Sequence, residues 1–498
     1  MRRSALCLFL VLTLAPAASF LPARALAADE KAPRPNVVLM VADDQGLDAG
    51  CYGSTVVRTP HLDQLAREGT LFRNAFCTTS SCSPSRSVIL TGRHNHANGQ
   101  YGLAHPPHHF VGFSTIRSLP VMLAEHGYRT AQIGKMHVEP ADLYRFDVAI
   151  PAKDTHNPVA MADACREFIA GGDAPFFLYF CPTDPHRTGE TRPVGAERPN
   201  AFGNATPHPG VEPTPYDPAQ VQVPSWLPDT PACRAELAQY YEAISRIDQG
   251  LGRLAQVLKD AGKYENTLIV YLSDNGAPFP GGKTTLYEPG MRLPLVIRSP
   301  GAARRGVASE AFVSWVDITP TILDFAGVDP KAPPPGKPAP RLNARQAAQQ
   351  AQATALHGRS IRGVLEAERP AGWDEVFGSH TFHEVTMYYP MRVIRSGQFK
   401  LIVNLAHPLP YPFAQDLYES ATWQDALTSR RPLYGKRATS SYIQRPRFEL
   451  YDLATDPDEL NNLADDSRHR AKFEELQAKL IDFQRRTDDP WLVKLTHE

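Results

Sequence analysis

Cys82-Ser83-Pro84-Ser85-Arg86, continuing as Ser87-Val88-Ile89-Leu90-Thr91-Gly92-Arg93, sets a nucleophile and a cation within five residues of each other. Pro84 suits a first helical turn, where a missing N–H costs nothing. Cys82 then falls at a helix N-terminus, where free N–H groups and the macrodipole favour negative charge, and Arg86 lies one turn on. Four further residues, Asp43, Asp44, Asp274 and Asn275, are hard oxygen donors. That donor set suits Ca²⁺ or Mg²⁺ rather than zinc, and Ca²⁺ is preferred where protein and substrate oxygens supply the whole shell. Lys135, His137, His186 and Lys283 join Arg86 as a ring of cationic or protonatable groups, suited to holding an anion and spreading its charge.

The elements that must position these groups can be read from apolar patterning. Asn36 to Ala42 is a continuous apolar run, the signature of a strand covered on both faces, and it stops at Asp43-Asp44. Arg129 to Gly134 leads in the same way to Lys135 and His137. Pro175 to Phe180 leads to Asp184 and His186, and Thr267 to Leu272 leads to Asp274 and Asn275. Helical spacing marks His61 to Gly69, Leu119 to Gly127 and Ala235 to Ala261 between these strands. Alternating strands and helices predict an α/β domain with a large, mostly parallel sheet, in which ligands collect beyond the carboxyl ends of the strands. Four strands that all end in polar, chemically capable residues therefore predict one shared site.

Later segments read differently. Residues 187 to 234 are crowded with Pro and Gly and predict a long surface excursion, a candidate cover for the site. A strand at Leu293 to Arg298 and a helix near Asp317 to Gly327 follow, then a polar insertion at 330–356. From Trp373 strands joined by turns take over, with a hairpin of Met391 to Ile394 and Phe399 to Asn404, a strand at Phe448 to Leu453 and a helix from Arg470 to Arg486. The expected organisation is a catalytic domain over 28–370 and a smaller α+β domain with an antiparallel sheet over 371–498.

Composition narrows the function classes. A chain of 498 residues with 42% hydrophobic and 21% charged residues is globular, and a formal net charge of −1 offers nothing to a general polyanion or nucleic-acid binder. Residues 1–27 read as a secretory signal: a basic Met1-Arg2-Arg3 start, an apolar Leu6 to Leu14, and a small-residue cut after Ala27. Export to the periplasm or the exterior is expected, with no membrane span. Six cysteines remain beyond the signal (Cys51, Cys77, Cys82, Cys165, Cys181 and Cys233), too scattered for a disulfide framework or a zinc pattern.

The twelve residues from Cys82 to Arg93 resemble the signature of the type I sulfatases, C-x-P-S-R-x-x-x-L-T-G-R, with every fixed position filled. Within that family the chain is most similar to the sulfamidases, the N-sulfoglucosamine sulfohydrolases of heparan sulfate breakdown. Thr59 to Asp63, Leu71 to Phe76, His108-His109-Phe110, Asp184 to Arg187, His383 to Met387 and Tyr389 to Arg392 carry that likeness. The resemblance implies an alkaline-phosphatase-like fold, Cys82 oxidised to formylglycine by a maturation enzyme, and a divalent cation on Asp43, Asp44, Asp274, Asn275 and residue 82. It further implies that Arg86 orients the nucleophile, that Lys135 and His186 bind the sulfonate, and that His137 lies near the formylglycine hydroxyls. Asp184, Lys283, His383 and Glu384 would border the sugar. Lys283 stands where sulfamidases carry Arg, and Tyr287 to Arg292 is closer to O-sulfatases. Three readings stay open: an N-sulfoglucosamine hydrolase, an O-sulfatase or phosphonate-ester hydrolase on the same core, and a non-catalytic carbohydrate-binding protein. The oligomeric state is open too, a homodimer included.

Overall fold

The computed structural model describes residue 1 and residues 34–187, 201–333, 335–336 and 342–494; the signal segment and Thr188 to Asn200 lie outside the described residues. Arg34–Glu498 forms one compact unit. Its main sheet contains β1 (Asn36–Ala42), β2 (Thr70–Phe76), β3 (Arg129–Gly134), β4 (Val148–Ile150), β5 (Phe176–Cys181), β6 (Thr267–Ser273), β7 (Leu295–Arg298) and β8 (Val307–Ser314). The order is β4-β3-β5-β1-β6-β7-β2-β8, with β7 alone antiparallel to its neighbours. The mostly parallel mixed sheet is the one expected.

Strand β1 shows why the sequence reads as it does. Val37, Leu39 and Val41 enter one apolar cluster, whereas Val38, Met40 and Ala42 enter the cluster on the opposite face. A strand packed on both sides cannot alternate apolar with polar, so it appears as an unbroken apolar run. The helix Pro231–Asp260 covers one face, and the helix Cys82–Thr91 packs on the other, buried along its whole length. Parallel registers Ala42↔Ser273 and Gly134↔Cys181 bring the carboxyl ends of β1, β6, β3 and β5 level along one rim. Gly134 sits at φ +86, and a Cβ there would come 2.0 Å from the Cys181 carbonyl oxygen. Only glycine lets β3 close on β5 at this point.

The second sheet has the order β14-β11-β10-β9, from β9 (Glu375–His380), β10 (Met391–Ser396), β11 (Phe399–Asn404) and β14 (Phe448–Asp452); β12 (Leu433–Tyr434) and β13 (Arg437–Ala438) form a small separate hairpin. The β10–β11 hairpin pairs Ser396 with Phe399, and the helix Arg470–Arg486 covers this sheet. The expected boundary at 370 falls between the two sheets, yet the largest apolar cluster draws Met391, Val393, Ile402 and Tyr451 in with the main sheet. Among the described residues, 201–230 carries no helix or strand, and no helix is long and apolar enough to cross a membrane. Strands β2, β4, β8 and β9 have no counterpart among the expected elements. β4 and β8 are the edges of the main sheet, where half-buried sequences such as Val-Ala-Ser-Glu-Ala-Phe-Val-Ser carry little apolar signal.

Candidate active site

The site begins where the helix Cys82–Thr91 meets the level strand ends. Cys82 is the first helical residue, as Pro84 predicts. Its thiol lies 3.8 Å from Asp44 Oδ1, and the ligand atoms of Asp43, Cys82 and Asp274 all fall within 4.8 Å of one another. Ser81, at the N-cap position, gives the helix no side-chain cap. Its hydroxyl sits 2.8 Å from His383 Nδ1 instead, and Ser85 donates to the Asp274 carbonyl at 2.5 Å. Arg86, fully buried, donates through Nε to Asp274 Oδ2 at 2.8 Å and through Nη1 to the Lys135 carbonyl at 2.8 Å, with Asp43 Oδ1 3.6 Å away. One guanidinium thus ties together the ends of β1, β3 and β6.

The acids behave as a set. Asn275 Nδ2 donates to Asp44 Oδ1 at 2.6 Å, and the Asp44 amide donates to Asp274 Oδ1 at 3.1 Å. Lys135 Nζ closes on Asp43 Oδ2, and Lys283 Nζ lies 2.9 Å from Asp44 Oδ2. Burial pushes the Asp43 carboxyl up, but Lys135, His186, Arg86 and Lys283 outweigh it and hold that carboxyl well below its usual range. Asp274 is pushed up to about 7 by burial and by the neighbouring Asp43 and Asp44, against the pull of Arg86. Asp43 Oδ1 and Asn275 Oδ1 are buried and accept no hydrogen bond from the described residues. Unused lone pairs on buried hard oxygens, beside two further carboxylates, fit a divalent cation. Asp44 and His137 hold φ of 71° and 55°, left-handed conformations uncommon outside glycine.

The basic groups lie beside the acids. Lys135 follows β3, and Lys283, only 1% exposed, reaches in from the loop after β6. His186 Nδ1 pairs with the Arg187 carbonyl at 2.5 Å, leaving Nε2 3.1 Å from Lys283 Nζ and 3.7 Å from Asp44 Oδ2. Burial, Lys283 and Lys135 lower the His186 pKa, against the pull of Asp44 and Asp43. His137 is held well below its usual pKa by burial and Lys135; its Nδ1 has no partner among the described residues, and Nε2 pairs with His105 Nδ1 at 2.6 Å. Burial, with the two aspartates, raises the Cys82 thiol well above its usual value despite Lys135 and Lys283, so an unmodified thiol here is a poor nucleophile.

Asp184 differs from the expectation of a sugar-facing carboxylate. Both oxygens are enclosed: Arg246 donates at 2.6 and 2.8 Å, and His156 Nδ1 lies 2.5 Å away. These contacts tie the loop that carries His186 to the helix Pro231–Asp260. His383 is buried against Ser81, and Glu384 Oε1 accepts from the Gln415 amide at 2.8 Å, which links it to the short helix Gln415–Tyr418. That helix supplies Asp416, whose Oδ2 lies 2.9 Å from Lys283 Nζ. Sequence reasoning missed Asp416 because no strand end, motif or periodicity marks it. It also missed Tyr240, whose hydroxyl donates to the Asp44 carbonyl at 3.0 Å and accepts from the Gly46 amide at 2.8 Å.

Compared with known proteins, residues 35–328 match the Sulfatase family model. The chain is 43% identical over 472 residues to human N-sulphoglucosamine sulphohydrolase, covering 92% of this chain and 91% of that protein. It is 27% identical to N-acetylglucosamine-6-O-sulfatase of Bacteroides thetaiotaomicron, covering 92% and 88%. Among solved structures, a protein bound to its substrate D-glucosamine-2-N,6-O-disulfate superposes with a TM-score of 0.62 at 23% identity, covering 92% of this chain and 99% of that one. The phosphonate monoester hydrolase of Agrobacterium radiobacter superposes with a TM-score of 0.63 at 21% identity, covering 91% and 96%.

Proposed function

The chain belongs to the sulfatase family, and from that premise we propose that it hydrolyses the N-sulfate of glucosamine in heparan-type sugars, releasing sulfate and the free amine. The observation that carries this reading is identity of 43% across nine-tenths of both chains to a sulphohydrolase of that specificity. The site supports it with a nucleophile position, hard oxygen donors and a cationic ring within one rim. The same core leaves an O-sulfatase or phosphonate-ester hydrolase as the second reading, favoured by Lys283 and the Tyr287 to Arg292 run.

Residue 82, if matured to formylglycine, would offer a hydroxyl of its hydrate as the nucleophile, and Asp43, Asp44, Asp274, Asn275 and residue 82 would hold a divalent cation, Ca²⁺ in preference to Mg²⁺, whose charge would acidify that hydroxyl and offset the sulfonate. Arg86 fixes the donor set by tying Asp274 to the β3 terminus. Lys135 and Lys283, already turned on the acids, hold the sulfonate oxygens from two sides. An amine leaves badly unless it takes up a proton, and His186 Nε2 faces the centre of the cluster to deliver it. Negative charge on a bound sulfonate favours the protonated ring. His137, whose Nδ1 has no partner among the described residues, would take up the proton of the second hydroxyl of a hydrated residue 82 as sulfate leaves. The maturation enzyme that oxidises Cys82 is the partner this chemistry requires, and the signal segment directs the product out of the cytoplasm.

The test is a panel of N-sulfoglucosamine, glucosamine 6-O-sulfate, an aryl sulfate and a phosphonate monoester. Turnover of the first with equal release of sulfate and glucosamine, lost on chelation and restored best by Ca²⁺, is expected. A kcat/KM higher for any of the other three overturns the substrate assignment.

A further inference from the structure

Asp416 is a carboxylate at the edge of a site otherwise lined by groups that attract anions. Its side chain is 18% exposed, its Oδ2 sits 2.9 Å from Lys283 Nζ, and its Oδ1 is 2.9 Å from the Leu417 amide. Lys283 Nζ also lies 2.9 Å from Asp44 Oδ2 and 3.1 Å from His186 Nε2, so one ammonium links Asp416 to both the metal-binding acids and the acid that serves the leaving group. Burial pushes the Asp416 carboxyl up, but the Lys283 ammonium beside it outweighs that and holds the carboxyl well below its usual range. The Glu384 contact to the Gln415 amide and the packing of Ala414 and Leu417 against Met387 hold the short helix in place.

A fixed carboxylate repels a sulfonate, so a part for Asp416 in recognising substrate is one played at the leaving atom, on the other side of the breaking bond. When an S–N bond breaks, sulfur gains oxygen from the nucleophile, and the nitrogen, basic enough to take the His186 proton ahead of cleavage, carries positive charge until it keeps the bonding pair and leaves as a neutral amine. When an S–O bond breaks, the bridging oxygen is far less basic, takes its proton only as the bond parts and leaves as a neutral hydroxyl, so no comparable positive charge builds on it. A carboxylate hydrogen-bonded to the leaving atom strengthens in the first case and not in the second.

We propose that Asp416, set beside Lys283 and His186, recognises the departing amine and selects N-sulfated over O-sulfated sugars. This rests on the N-sulfate reading above, so its test has one arm that needs no turnover. Calorimetry at mildly acidic pH, where the amine is protonated, compares glucosamine with N-acetylglucosamine on wild type and on Asp416→Asn. Glucosamine affinity is expected to fall about tenfold or more in the variant, with N-acetylglucosamine affinity changing far less. Equal changes for both sugars, or none, overturn the proposal. In the turnover arm, Asp416→Asn should shift the ratio of kcat/KM for N-sulfoglucosamine over glucosamine 6-O-sulfate by about tenfold toward the ester, and Asp416→Glu should restore part of it. A parallel loss on both substrates would mean that Asp416 only places Lys283. Melting curves on both variants exclude misfolding as the cause. If wild type releases no glucosamine from the N-sulfate, the substrate reading fails, and the calorimetric arm still decides the role of Asp416.

Discussion

Burial of a carboxylate has opposite meanings at Asp43 and Asp184. The first leaves Oδ1 without a hydrogen bond among the described residues, while the second spends both oxygens on Arg246 and His156. Asp184→Asn would strand the buried Arg246 and is expected to cost about 3–5 kcal/mol of stability. It should lower kcat through a loosened His186 loop while KM for the sugar changes little, a split that steady-state kinetics and a melting curve resolve together. Asp43, Asp44, Asp274 and Asn275 were legible because each closes an apolar strand. Asp184 closes one too, and its type and position gave no sign that Arg246, on a helix far along the chain, would claim it. Asp416 gave no local sign at all.

Elements buried on both faces announce themselves, and edges do not. β1, β5 and β6 were readable for that reason, whereas β4 and β8 were not. The closure of β3 on β5 also rests on a residue that periodicity ignores. Gly134→Ala is expected to destabilise by at least ~2 kcal/mol, from positive φ plus the clash with the Cys181 carbonyl, and to displace Lys135 and His137 with it; urea unfolding and kcat report the two effects. A second element-level device is the histidine group between the helices Asn95–Asn98 and Arg470–Arg486. His94 stacks on His96 at 5.5 Å and meets Phe483 edge-on at 4.8 Å. Burial lowers His96 from 6.5 to about 3 and His357 to about 4. Because the folded-state values lie below the unfolded ones, the unfolded chain binds more protons in that interval. Stability is therefore complete above pH 6.5 and falls as pH drops toward the folded values, by roughly 1.4 kcal/mol per pH unit per group. His96→Gln should flatten the slope of Tm against pH between those limits.

At the scale of the molecule, two sheets share one core. A chain ending at Pro370 would lose Met391, Val393, Ile402 and Tyr451 from the largest apolar cluster, along with His383, Glu384 and Asp416 from the rim. Such a truncation is expected to be recovered as aggregate, or as a species that binds hydrophobic dyes and melts without cooperativity, rather than as a smaller active enzyme. The α/β architecture was legible from the spacing of four strands, and the antiparallel hairpin from its turn. The sharing of the core was not, because a boundary inferred from a change in local pattern says nothing about which apolar faces meet. The same joint has a consequence in time. Ser81 and His383 stand 302 positions apart, and their contact helps enclose a thiol that is only 1% accessible. During synthesis the cysteine emerges long before the segment that covers it. A catalyst that oxidises this cysteine, as proposed above, would have to reach it before the later segment folds over it, and molecules that closed first would keep the thiol out of its reach.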